Sequence, residues 1–130
     1  MTDNLDTTGF LFREPNGIPC TLYLPRDAKP LGTVLFLHGR GECGMNSTRQ
    51  LTTGLPRWLM LEPERWPFAV VIPQKPDFDA PWTDYQAQVF EHLDACIAEA
   101  KLDPDRTVIT GLSQGGHGTL HFAANHPGRF

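Results

Sequence analysis

Gly111-Leu112-Ser113-Gln114-Gly115, directly behind the apolar run Thr107-Val108-Ile109-Thr110, is the stretch of this sequence best suited to chemistry. A serine that closes a strand and opens a helix sits on a turn so tight that its own backbone is strained. Its flanking residues must then be nearly free of side chain. Gly111 and Gly115 meet that need, and Gly116 adds a third small residue where the helix is expected to approach the sheet. In that setting Ser113 offers a hydroxyl nucleophile for attack on an acyl carbon.

Such an attack leaves a negatively charged oxygen, which pre-aimed backbone amides stabilise. The Gln114 amide, just after the serine at a helix N-terminus, is one candidate donor. The second is expected in the loop His38-Gly39-Arg40-Gly41-Glu42, which follows the apolar run Thr33-Val34-Leu35-Phe36-Leu37. The Arg40 amide is the choice there, with Gly39 and Gly41 shaping the turn. His38 is expected to make structural hydrogen bonds beneath the site, and Glu42 to fix the loop as an acceptor. The bland alternative is an ordinary Gly-rich connection.

Other reactive side chains are better read as structural. His117 lies one helical turn beyond Ser113 and has no carboxylate placed to orient it as a base. His117 with His121, and His92 with Cys96, have i, i+4 spacing, yet neither pair has further ligands in reach by sequence, so no metal is expected. Nothing visible near Cys43 lowers its pKa. Trp58, Trp66 and Trp82 suit either an acyl pocket or a core lid.

The elements that must position these groups follow from pattern. Phe10-Leu11-Phe12 and Thr21-Leu22-Tyr23-Leu24, separated by Glu14-Pro15-Asn16-Gly17, read as an antiparallel hairpin. Thr33–Leu37 and Phe68–Pro73 are continuous apolar runs of the kind buried on both faces of a parallel sheet. A helix is expected over Leu51–Met60, interrupted by Pro56. A long helix follows Thr83-Asp84-Tyr85-Gln86, read as a capping box, with Val89, Leu93, Ile97 and Ala100 on its apolar stripe. The helix behind Ser113 should run to about Asn125, before His126-Pro127-Gly128. The alternation predicts one doubly wound, mostly parallel α/β domain over 1–130.

Composition narrows the function. The chain has 130 residues, 40% hydrophobic and 20% charged, and is too apolar for a disordered segment. A net charge of −4 without a Lys/Arg block argues against nucleic acid. The acidic, polar start Met1–Asp6 is unlike a signal peptide, and no apolar stretch approaches a membrane span. Three cysteines at unpatterned spacings (Cys20, Cys43, Cys96) fit reduced thiols in a cytoplasm.

The pairing of Leu37-His38-Gly39-Arg40-Gly41-Glu42 with Leu102–Arg106 and Thr110–Gly116 resembles the α/β-hydrolase superfamily. More narrowly it is similar to the small carboxylesterase, phospholipase and polyhydroxybutyrate-depolymerase-like esterases, with prolyl-oligopeptidase-type relatives. Gly118–Phe130 also looks like their elbow helix and its exit. The resemblance implies hydrolysis of small-molecule carboxylic esters by a Ser–His–Asp triad, without metal or cofactor. Ser113 would be the nucleophile, and the Arg40 and Gln114 amides the oxyanion hole. In that superfamily the acid and the histidine follow the serine, and no residues beyond Phe130 are present to supply them. The expectation is therefore the N-terminal part of a serine esterase, truncated after the elbow helix and inactive or nearly so alone. The alternatives are a non-catalytic binding module, or a half-enzyme completed by a second chain. An unpaired strand edge at Thr107–Thr110 would favour self-association or a C-terminal complementing chain.

Overall fold

The computed structural model describes residues 5–14, 16–26 and 29–130. The acidic start Met1–Asn4 and Pro15 of the expected turn lie outside the described residues. Five strands form one sheet: β1 (Phe10–Phe12), β2 (Cys20–Tyr23), β3 (Thr33–Leu37), β4 (Ala69–Pro73) and β5 (Thr107–Gly111). Their order across the sheet is β1-β2-β4-β3-β5. The β1–β2 hairpin is antiparallel as expected, and β3 runs parallel to both β4 and β5. Strand β2, however, pairs antiparallel with β4, so the sheet is mixed and the hairpin extends the parallel core.

The apolar runs are buried on both faces because alternate side chains enter two separate cores. Val34 and Phe36 of β3, with Val70 and Ile72 of β4, pack against Leu51, Leu59 and Met60. Leu35 and Leu37, with Val71, pack on the opposite face against Val89, Leu93 and Phe122. The first face is covered by α1 (Leu55–Leu61), the second by α2 (Gln86–Glu99) and α3 (Gln114–Asn125).

Two local expectations are corrected. Pro56 does not interrupt a helix over Leu51–Met60. A short 3₁₀ turn, Arg49–Leu51, ends first, and Pro56 then occupies the first turn of α1. That is where its missing N–H costs nothing, since the first amides of a helix have no intrahelical acceptor. Nor does Thr83 cap α2. Trp82–Tyr85 form a 3₁₀ turn begun at Pro81, Tyr85 is the residue before the α-helix, and no side chain caps it. Of the expected stripe Val89 and Leu93 are buried, Ile97 and Ala100 are only partly so, and His92 and Cys96 take buried places beside them.

Register decides what meets at the functional edge. In the β3–β5 pairing Leu37 lies opposite Gly111, so both strands end side by side. Leu35 lies opposite Val71, which brings the carboxyl end of β4 to the same edge. The loops after three parallel strands therefore open together, the usual place for a site in an α/β sheet. Strand β5 is an edge strand in this sheet, with Val108 half exposed.

Candidate active site

Ser113 stands between β5 and α3 with φ 56° and ψ −113°, a region that L-residues adopt only under strain. Close packing enforces that turn. The Leu112 amide donates to the Leu37 carbonyl at 3.0 Å. A Cβ on Gly111 would stand 2.1 Å from the Gly115 carbonyl oxygen, and one on Gly115 only 1.8 Å from the Leu37 oxygen. Only glycine fits either position. Gly116 differs, because its nearest contact would be an ordinary 3.7 Å. The third residue that closes α3 on its neighbours is Gly118, where a Cβ would meet Trp82 at 2.8 Å.

The loop after β3 is fixed from three sides. The Gly39 amide donates to Glu42 Oε1 at 3.0 Å, so it is already engaged and Glu42 is the expected acceptor. A Cβ on Gly39 would lie 3.5 Å from Ser113 Cβ, which places this loop directly against the serine. Gly41 has open space around the corresponding point, so no contact demands glycine there. The amides of Arg40 and Gln114 have no acceptor among the described residues. The Gly41 amide also has none, and unengaged N–H groups of this kind near an exposed serine are donors that a developing negative charge can use.

His38 is fully buried beneath this loop. Its Nε2 lies 2.9 Å from the Lys75 amide and its Nδ1 lies 2.6 Å from the Gly39 carbonyl oxygen. Its own carbonyl accepts from Trp82 Nε1 at 3.0 Å, and the two rings meet edge to face at 4.8 Å. Burial pushes the imidazole down to about 4; the neighbouring Lys75 charge acts in the same direction and the hydrogen bond to Gly39 opposes it.

The carboxyl end of β4 carries the residues that sequence reasoning missed. Gln74, fully buried, receives the Ser47 amide at 2.8 Å and donates to Glu42 O and Asn46 Oδ1 at 3.1 and 2.9 Å. The Gly44 amide donates to the Lys75 carbonyl, and Lys75 Nζ donates to Asp77 O. Cys43 Sγ reaches the same oxygen at 3.6 Å, and burial raises its thiol pKa. The signal was available: Gln74 and Lys75 are polar residues at the end of a buried strand, the position that singled out His38.

Over the loop, the Arg40 guanidinium lies on the Phe78 ring at 5.3 Å and pairs with Asp79 at 3.2 Å. Gln114 Nε2 donates to Phe78 O at 3.1 Å. Below them runs a groove of about 400 Å³, lined by Asp79, Thr83, Gln114, His117 and His121 among others. No histidine ring hydrogen-bonds to the Ser113 hydroxyl among the described residues. Trp82 is buried in the core and also lines that groove, whereas Trp58 and Trp66 line a separate cleft beside α1. No group of three His, Cys, Asp or Glu among the described residues is placed to hold a metal.

The comparisons agree with this architecture. The family model Esterase ("Putative esterase") matches residues 60–130, more than half of the chain, and the chain belongs to this esterase family of the α/β-hydrolases. A thermostable esterase superposes with a TM-score of 0.70 at 27% identity, covering 95% of this chain and 39% of that one. An acetyl xylan esterase from Aspergillus awamori gives 0.64 at 18% identity, with 93% and 48% covered. An S-formylglutathione hydrolase from Agrobacterium tumefaciens gives 0.61 at 21% identity, with 93% and 54% covered. The chain thus spans roughly two-fifths to half of the length of these structures, and the last two speak for the fold alone. A search of curated proteins returned no match. No helix among the described residues is long and apolar enough to cross a membrane.

Proposed function

We propose that this chain carries the nucleophile and oxyanion half of a serine esterase acting on small carboxylic esters. Ser113 Oγ attacks the ester carbon, the carbonyl oxygen takes the negative charge, and the amides of Arg40 and Gln114 receive it. The observation that carries this reading is the strained Ser113 backbone held against Gly39 at the common edge of three parallel strands. Strain at a residue locked by its surroundings is characteristic of a site that needs its side chain presented in one direction.

Attack at neutral pH also requires a general base within hydrogen-bond reach of the hydroxyl. In the superfamily order that histidine follows the nucleophile, and the matched structures extend well beyond the part that this chain spans. The edge of β5 is open, with Val108 exposed, and suits pairing with a further strand.

The test is reaction with a fluorophosphonate, the adduct mapped by peptide mass, alongside hydrolysis of p-nitrophenyl acetate. A phosphonyl adduct on Ser113, absent in Ser113→Ala, supports the nucleophile. Ester binding with neither adduct nor turnover, even with a complementing C-terminal polypeptide present, would leave a binding module instead.

A further inference from the structure

We infer that His38 is a positioning residue that aims the Arg40 amide, and that the Lys75 backbone sets the tautomer in which it does so. The inference rests on the reading of that amide as an oxyanion donor.

A backbone N–H can only donate. The Lys75 amide, 2.9 Å from Nε2, therefore requires that nitrogen to be bare. The proton of the neutral ring is then on Nδ1, which donates to the Gly39 carbonyl oxygen at 2.6 Å. Full burial favours the neutral ring, the Lys75 charge acts in the same direction, and Trp82 packs edge-on against it. One tautomer is thus selected by a backbone N–H, which can only donate.

The consequence passes through a single peptide plane. The Gly39 carbonyl and the Arg40 N–H belong to the same trans peptide unit, in which they point in opposite directions. Holding the carbonyl on His38 turns the Arg40 N–H away from the buried ring, in a loop whose Gly39 abuts Ser113. The Glu42 amide adds a weaker grip on the same carbonyl at 3.3 Å, and Glu42 Oε1 retains the Gly39 amide. Of the loop amides, those of Arg40 and Gly41 have no acceptor among the described residues, and Arg40's shares the peptide unit that His38 holds.

The two arms of the ring can be separated by substitution. Asn at position 38 places an N–H donor where Nδ1 stands but cannot reach Lys75. Gln at the same position reaches toward Lys75 with an acceptor but has no donor for Gly39. The experiment is nitrogen NMR of the whole chain at neutral pH, together with the amide shift of Arg40 and the fluorophosphonate rate in His38→Asn and His38→Gln. A His38 ring protonated on Nδ1 is expected, and one protonated on Nε2 overturns the inference without any variant.

In His38→Asn the Arg40 resonance should stay near its original position. In His38→Gln it should move, and labelling should slow on the order of tenfold or more, as when an oxyanion donor is misdirected. Equal behaviour of the two folded variants would mean that His38 merely fills space. Absence of Ser113 labelling even with a complementing C-terminal polypeptide present would count against the nucleophile reading alone, since the tautomer and the Arg40 shift are read independently of it.

Discussion

The Leu37 carbonyl and Gly115 meet so closely that a single Cβ on the glycine would stand 1.8 Å from the oxygen. This contact seats α3 on the end of β3 and fixes where Ser113 emerges. Replacing Gly115 by Ala should therefore force helix and strand apart, at a cost of about 3 kcal/mol or more. Gly116 is one residue further along the same helix, but its Cβ would meet nothing closer than 3.7 Å. Gly116→Ala should raise stability by about 0.5–1 kcal/mol through helix propensity alone. Urea unfolding of the two variants separates these outcomes, and equal loss in both would show that the sheet contact is assigned to the wrong residue.

The role assigned to Arg40 lies in its backbone, so its side chain should be dispensable. The Arg40–Asp79 pair is well exposed on both sides, and such pairs contribute below about 1 kcal/mol. Arg40→Ala should leave the unfolding midpoint and the labelling of Ser113 nearly unchanged. Arg40→Pro is the informative variant. Position 40 opens a 3₁₀ turn and Gly39 before it is extended, both of which accept proline. The substitution removes one N–H and little else, and should slow phosphonylation roughly 100-fold. A folded Arg40→Pro protein that reacts at the original rate would eliminate this amide as a donor.

The strands and the elbow were legible because β3 and β4 are buried on both faces, leaving unbroken apolar runs, and because glycine marks where β5 must turn. Strand order was not legible, since the β2–β4 pairing joins segments far apart in sequence. The capping box failed because Pro81 starts a 3₁₀ turn that places Thr83 inside it. Gln74 and Lys75 stand out as polar residues closing a buried strand, but the partners they anchor, 28 and 37 residues away, lie beyond any local pattern. The Gly116 error was avoidable. The buried positions Gly115, Gly118 and Phe122 follow the helical period, and Gly116 falls off it.

Buried neutral His38 also ties stability to pH. Its imidazole titrates near 6.5 when unfolded and at about 4 in the fold. The fold thus favours the neutral ring, and this contribution is complete above pH 6.5. It declines as pH falls from 6.5 toward 4, reaching a loss of about 3 kcal/mol below that range. Below it, a protonated Nε2 would face the Lys75 N–H, donor against donor. His92, lowered by its own burial, acts in the same direction. Unfolding measured at pH 7 and pH 4 should show the native chain losing more stability than His38→Gln, which has nothing to titrate there. Parallel losses in the two proteins would contradict the assignment.

Ser113 carries a conflict between stability and chemistry. With φ 56° and ψ −113°, it occupies a conformation that suits glycine, and such strain costs on the order of 1–3 kcal/mol. The flanking contacts at Gly111 and Gly115 allow no relaxation, because the chain cannot shift without driving α3 off β3. Ser113→Gly should therefore stabilise the fold by about 1 kcal/mol, the relieved strain exceeding the extra chain entropy that glycine brings to the unfolded state. Ser113→Ala keeps the strained backbone and should leave stability close to that of the native chain. Both variants lack the hydroxyl and should form no phosphonate adduct. Calorimetric or urea midpoints rank the three proteins. A glycine variant less stable than the alanine one would mean that the turn is not strained at this residue, removing the main support for Ser113 as a side chain held in place for reaction.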